Sequence, residues 1–169
     1  DKKLKFTFAA AFFLFFTLII FHPFSAPKID GKLHIDFLDV GQGDAIFVTF
    51  PNGETMLVDG GGRINFNKIY VQNEFQDEPE VFEPDNITIG ESVVSGFLWE
   101  KGYDKVDYIL ATHADSDHIQ GLTDIAKNFR VKAAIFGRTP FQDSDFAELF
   151  AVLEKRKIDL IKVSRGEVL

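Results

Sequence analysis

The sequence predicts a mixed α/β domain preceded by one membrane-spanning helix. Three observations lead there. Residues 6–27 carry no formal charge, and eight of the 20 Phe fall within the first 24 residues. Short alternating or β-branched runs follow, first in hairpin-like succession and then separated by helical patterns, as expected of a layered α/β sheet. Finally, two His and two Asp crowd into the turn after one buried-type run.

The first helix rests on length and charge. About 20 apolar residues span a bilayer as a helix. Lys2, Lys3 and Lys5 precede the run, so the positive-inside rule places the N-terminus in the cytoplasm and residues 28–169 outside. A cleaved signal peptide is the main rival. Its cleavage site wants small residues, whereas the run ends Phe24-Ser25-Ala26-Pro27 with a bulky side chain in the way. A buried soluble helix is the weaker rival. His22 and Pro23 read as an interfacial residue and a helix stop.

Leu33, Ile35 and Phe37 alternate with His34 and Asp36, the period of a half-buried strand. Residues 45–50 form an apolar second strand, and Pro51-Asn52-Gly53 a hairpin turn into a third at 55–58. Between the first two lies a turn on two glycines, Asp39-Val40-Gly41-Gln42-Gly43-Asp44. The third ends at Asp59-Gly60-Gly61-Gly62. Residues 63–90 read as an acidic surface loop. Beyond it the pattern predicts a helix at 91–101 stopped by Gly102, then a strand at 106–111, a helix at 119–128 and a strand at 131–136. A helix at 146–157, capped within Asp143-Ser144-Asp145, and a strand at 160–163 complete the series.

Composition bounds the function. The 169 residues include 18 basic and 26 acidic side chains, a net charge of −8. Setting aside Asp1, Lys2, Lys3 and Lys5 leaves 15 basic and 25 acidic, so residues 28–169 carry −10. No Cys is present, which excludes a disulfide scaffold, Cys-ligated zinc and a thiol nucleophile. The chain starts at Asp1 and its single Met is Met56, so a fragment of a longer protein is expected.

The chemistry concentrates in Thr112-His113-Ala114-Asp115-Ser116-Asp117-His118. Imidazole suits Zn, Mn and Fe, and carboxylate suits harder cations. A tight loop can aim alternate side chains at one place, and the helix start can bring Asp117 and His118 beside it. Such a set could hold two metals about 3.5–4 Å apart, the spacing used in hydrolysing phosphate esters. The competing reading makes Asp115, Ser116 or Asp117 an N-cap and His118 a surface residue. That accounts for one of the four, so metal binding is the better expectation.

His113-Ala-Asp115-Ser-Asp117-His118 resembles the HxHxDH motif of the metallo-β-lactamase superfamily. Together with 38–45, 57–62 and Gly90-Glu91-Ser92-Val93-Val94, it is similar more narrowly to the C-terminal domain of ComEC-type DNA-internalisation competence proteins. The resemblance covers residues 33–169. It implies an αββα sandwich of two similar halves, of which this chain supplies roughly the first, as a domain at 28–169 truncated at its C-terminus after a transmembrane helix at 1–27. It implies divalent metal ions, two of them, Mn or Zn. His113 and Asp115 would serve the first, Asp117 and His118 the second. Asp117 would also hold or activate the attacking water. Asp59 would orient a ligand from behind, and Asp44 would line the site, although both also suit turns. Asp39 and Gln42 read as loop-shaping.

The sequence also departs from the family pattern. Asp115 replaces the usual second His and favours a harder metal, and Gln120 stands where Gly is usual. The family's later ligands have no candidates after His118, and are expected beyond residue 169. The implied function is a nuclease domain on the outer face of the plasma (inner) membrane, within a competence protein. Its partners would be incoming DNA, the membrane, the rest of its own channel and the DNA-uptake machinery. Two alternatives stand beside it: a single-pass membrane-anchored metallo-hydrolase of another ester, and a degenerate module that docks DNA without cutting.

Overall fold

A computed structural model describes residues 2–21, 27–62, 88–137 and 142–167. His22, Pro23, Phe24-Ser25-Ala26 and most of the expected acidic loop lie outside the described residues. The first helix, α1 (Lys2–Phe21), contains an 18-residue stretch of mean hydropathy 1.9, none of it buried against the rest of the chain. At 1.5 Å per residue it reaches about 30 Å, the thickness of a bilayer core. Its two hydroxyls are satisfied within the helix: Thr7 donates to the Lys3 carbonyl and Thr17 to that of Phe13. This suits an apolar surrounding, where no water replaces a lost partner.

Six strands form one sheet in chain order: β1 (His34–Phe37), β2 (Ile46–Thr49), β3 (Thr55–Val58), β4 (Lys105–Ala111), β5 (Arg130–Phe136) and β6 (Asp159–Lys162). The first three pair antiparallel and the last four parallel. The hairpin at Pro51-Asn52-Gly53 forms as expected. The Phe50 amide donates to Glu54 at 2.8 Å, and Gly53 takes φ 84°.

Helices α2 (Gly96–Glu100), α3 (Ser116–Asn128) and α4 (Ser144–Arg156) cross between the parallel strands. The α2 crossover corrects the expected single α-helix, because its first part, Gly90–Ser95, is π-helical. A Cβ on Gly90 would stand 2.5 Å from the Gly121 Cα. The wider turn presses this backbone onto α3 while Val94 and Leu98 stay fully buried. The Ser95 hydroxyl donates to the Gly90 carbonyl, five residues back. Helix α3 begins three residues before its apolar periodicity does, which puts Asp117 and His118 in its first turn. Helix α4 begins two residues early because Asp143 caps it, accepting from the Asp145 and Phe146 amides at 2.9 and 3.0 Å.

The helices cover one face of the sheet. Phe47, Leu57, Ile109 and Ala134 point there and pack with Ile119, Leu122 and Ile125 of α3 and Phe146, Leu149 and Leu153 of α4. The other face is apolar too. Phe37, Ile46, Val58, Leu110, Ile135 and Ile161 lie in register across all six strands, yet of these only Ile135 is buried. This corrects the reading of the first strand as half-buried. β1 is an edge strand, and Ile35 and Phe37 are 51% and 77% exposed.

Candidate metal centre

Strands β3 and β4 run parallel with Val58 opposite Leu110, so their carboxyl ends open on the same side. In open α/β sheets ligands sit at such ends. Asp59 leaves β3 there, and Thr112 and His113 leave β4. The glycine turn at 41–44 closes the third side. Gly61 donates to the Asp44 carbonyl at 2.9 Å, Gly60 to that of His118 at 2.8 Å, and Gly121 to that of Gly61 at 3.0 Å. Glycine is required at Gly43, whose φ is +76°. A Cβ there would lie 1.7 Å from the Asp117 carbonyl oxygen.

Asp59 is 2% exposed and takes a left-handed φ of 54°, unusual for a non-glycine residue. Its carboxyl oxygens meet three polar partners, as a buried polar group needs. Oδ1 accepts from the Thr112 amide at 2.9 Å. Oδ2 accepts from the Thr112 hydroxyl at 2.6 Å and lies 3.0 Å from His118 Nδ1. The rings of His113 and His118 lie 3.9 Å apart between centroids, tilted by 49°. Donor atoms of Asp59, His113 and His118 all fall within 4.8 Å of one another. Because both Asp59 oxygens already accept hydrogen bonds, the carboxylate is placed to orient His118 more than to bind an ion itself.

The other expected residues are placed less uniformly. Asp115 is exposed, with Oδ2 3.3 Å from His113 Nε2. It occupies the N-cap position of α3, but its side chain makes no capping hydrogen bond, so the capping reading does not account for it. Asp117 lies partly buried in the first turn of α3, outside the close group of three. Asp44 is exposed and joins the centre through its backbone carbonyl. Asp39 shapes its loop, accepting from the Gly41 amide at 3.3 Å. A separate cavity of about 540 Å³, lined by Asp30, His34, Thr49, Tyr103 and Lys105 among others, contains none of these residues.

Two residues play parts here that the sequence pattern does not assign to them. Thr112 links Asp59 to His113, with its Oγ1 2.8 Å from Nδ1. Asp145, expected as part of a cap, is buried and turns its carboxylate to α3 instead. It accepts from the Ser116 hydroxyl and, at 3.3 Å, from the Gln120 amide. A hydroxylic residue at a strand end and an acid in a helix's first turn were the available signals, and both are commonplace.

The donor set fits a divalent cation. Two imidazoles and nearby carboxylates are ligands for Zn or Mn. An imidazole nitrogen and a carboxylate oxygen 3.3 Å apart, as at His113 and Asp115, repel unless a proton or cation lies between them.

Residues 38–160 match the family model of the metallo-beta-lactamase superfamily. The chain is 27% identical over 152 residues to ComE operon protein 3 of Bacillus subtilis, an alignment covering 89% of this chain and 18% of that protein. A solved structure from Thermotoga maritima described as a metallo-beta-lactamase is 14% identical. It gives a TM-score of 0.40 and covers 85% of this chain and 56% of its own.

Proposed function

The chain belongs to the metallo-beta-lactamase superfamily, and on that premise we propose that it is part of a membrane competence protein that hydrolyses phosphodiesters of incoming DNA with divalent metal. The observation that carries the reading is the meeting of Asp59, His113 and His118 at the carboxyl ends of β3 and β4. The likeness to ComE operon protein 3 and the apolar α1 support a membrane-anchored setting, and Lys2, Lys3 and Lys5 ahead of the span favour residues 28–169 on the outer side.

In this reading His113, His118, Asp115 and Asp117 hold the ions, Mn or Zn and two in number. When bound, they supply Lewis acidity that polarises the ester and acidifies water. The protein's own part is orientation and proton handling. Asp59 turns the His118 ring by its bond to Nδ1, leaving Nε2 to face a ligand. Asp117, on the turn of α3 beside His118, takes the proton of the attacking water. Asp44 lines the approach.

A second reading rests on charge. Residues 28–169 carry −10, while nucleic-acid binding leans on Lys and Arg contacts to phosphate. That favours a membrane-anchored hydrolase of a less anionic ester. Metal-supplemented cleavage of labelled DNA by the intact protein separates the two, with His118→Ala as control. The nuclease reading expects cleavage that the substitution abolishes. Cleavage that survives it contradicts the site, and no cleavage of DNA alongside hydrolysis of a small ester favours the second reading.

A further inference from the structure

Thr112 follows directly on β4, and its hydroxyl lies between two members of the site, 2.6 Å from Asp59 Oδ2 and 2.8 Å from His113 Nδ1. A hydroxyl has one proton to give and lone pairs with which to accept. A carboxylate can only accept, so the Thr112 proton goes to Asp59. What Thr112 then presents to His113 is a lone pair, and the ring nitrogen facing it has to carry a hydrogen. The same carboxylate oxygen imposes the same condition on His118, whose Nδ1 stands 3.0 Å away.

We propose that Thr112 and Asp59 together fix both imidazoles in the Nδ1–H form, so that both Nε2 atoms offer lone pairs, with Thr112 as the positioning residue for His113. The inference rests on the metal-site reading for its purpose but not for its geometry. Which ring nitrogen carries the proton is set by the hydrogen bond that the other makes. Here one buried carboxylate decides for two rings, reaching the nearer directly and the other through a hydroxyl. The consequence is sharpest at His113. Its Nε2 lone pair then faces Asp115 Oδ2 at 3.3 Å, two acceptors that become compatible when a cation is shared between them. The ligand class is therefore a divalent metal ion taken by nitrogen and carboxylate oxygen together.

The test is nitrogen-15 NMR of the imidazoles in the intact metal-free chain at about pH 8, above the ordinary imidazole range. With four His in the chain, each can be assigned by single substitution. The expected spectrum shows His113 and His118 both protonated at Nδ1. Thr112→Val keeps the side-chain shape and removes the hydroxyl; it is expected to shift His113 toward the Nε2–H form and leave His118 unchanged. Thr112→Ser is expected to restore the wild-type pattern. In Zn or Mn titrations Thr112→Val is expected to weaken binding about tenfold or more, as loss of such supporting partners does. Wild-type His113 protonated at Nε2, or a His113 pattern indifferent to Thr112→Val, overturns the proposal. The wild-type spectrum alone decides should the variants not fold. Nδ1–H rings in a chain that takes up no metal would uphold this inference and defeat the proposed function.

Discussion

Asp59 Oδ2 stands 3.0 Å from His118 Nδ1, joining residues 59 positions apart, one just past the end of β3 and the other in the first turn of α3. Asp59→Asn keeps the size but removes the charge and one acceptor. Metal affinity measured by calorimetric titration is expected to fall about 10–100-fold, with the far-ultraviolet circular dichroism unchanged. Full affinity in the variant would remove Asp59 from the site.

Gly43 and Gly41 share a φ of +76°, but a Cβ meets the Asp117 carbonyl at Gly43 and open space at Gly41. Gly41→Ala is expected to cost only backbone strain, about 1–2 kcal/mol. Gly43→Ala adds overpacking, about 1–3 kcal/mol more, and displaces the turn carrying Asp117 and His118. Denaturant melts of the pair test this, since equal losses would mean that the close approach is immaterial.

Asp145 and Asp143 lie at the start of the same helix and do different work. Asp143→Ala removes a cap and is expected to cost about 1 kcal/mol. Asp145→Ala strips the Ser116 hydroxyl and Gln120 amide of a buried acceptor. It is expected to cost about 1–3 kcal/mol and also to weaken metal binding, which Asp143→Ala leaves intact.

Burial under the π-helical stretch pushes the Asp124 carboxyl above its ordinary value of 3.8, more than the bond from the Thr88 hydroxyl lowers it. A folded value above the unfolded one means that the group's contribution is intact below 3.8 and is lost as pH rises through the folded value. Asp124→Asn keeps an acceptor for Thr88 and removes the buried charge. The melting temperature is expected to rise at neutral pH and to change little at pH values below the ordinary carboxylate range. A variant less stable at neutral pH contradicts the sign.

Much of this was legible in the residues because periodicity reports which face is buried. Every strand lies within about two residues of its expected place, whereas Gly43, Gly60 and Gly62 read only as turn glycines and prove to lie pressed against the backbone of α3. Helix α3 began early because its first turn is spent on Ser116, Asp117 and His118, which carry no apolar signal. The π-helical turn was hidden because it accompanies a close approach of Gly90 to Gly121, a tertiary contact that no local pattern reports. β1 alternates as a half-buried strand does, yet both its faces are exposed among the described residues. Thr112 and Asp145 escaped because their partners stand 53 and 29 positions away, beyond the reach of any local pattern.

The proposed function stands or falls on His113 and His118, oriented from Asp59, taking a divalent cation. Calorimetric titration of the intact, metal-stripped chain with Mn or Zn, wild type beside His118→Ala, tests it most directly. Saturable binding by the wild type is expected, abolished by the substitution or weakened by at least about 100-fold. Binding that His118→Ala leaves unchanged, or a folded wild type that takes up neither ion, would contradict it.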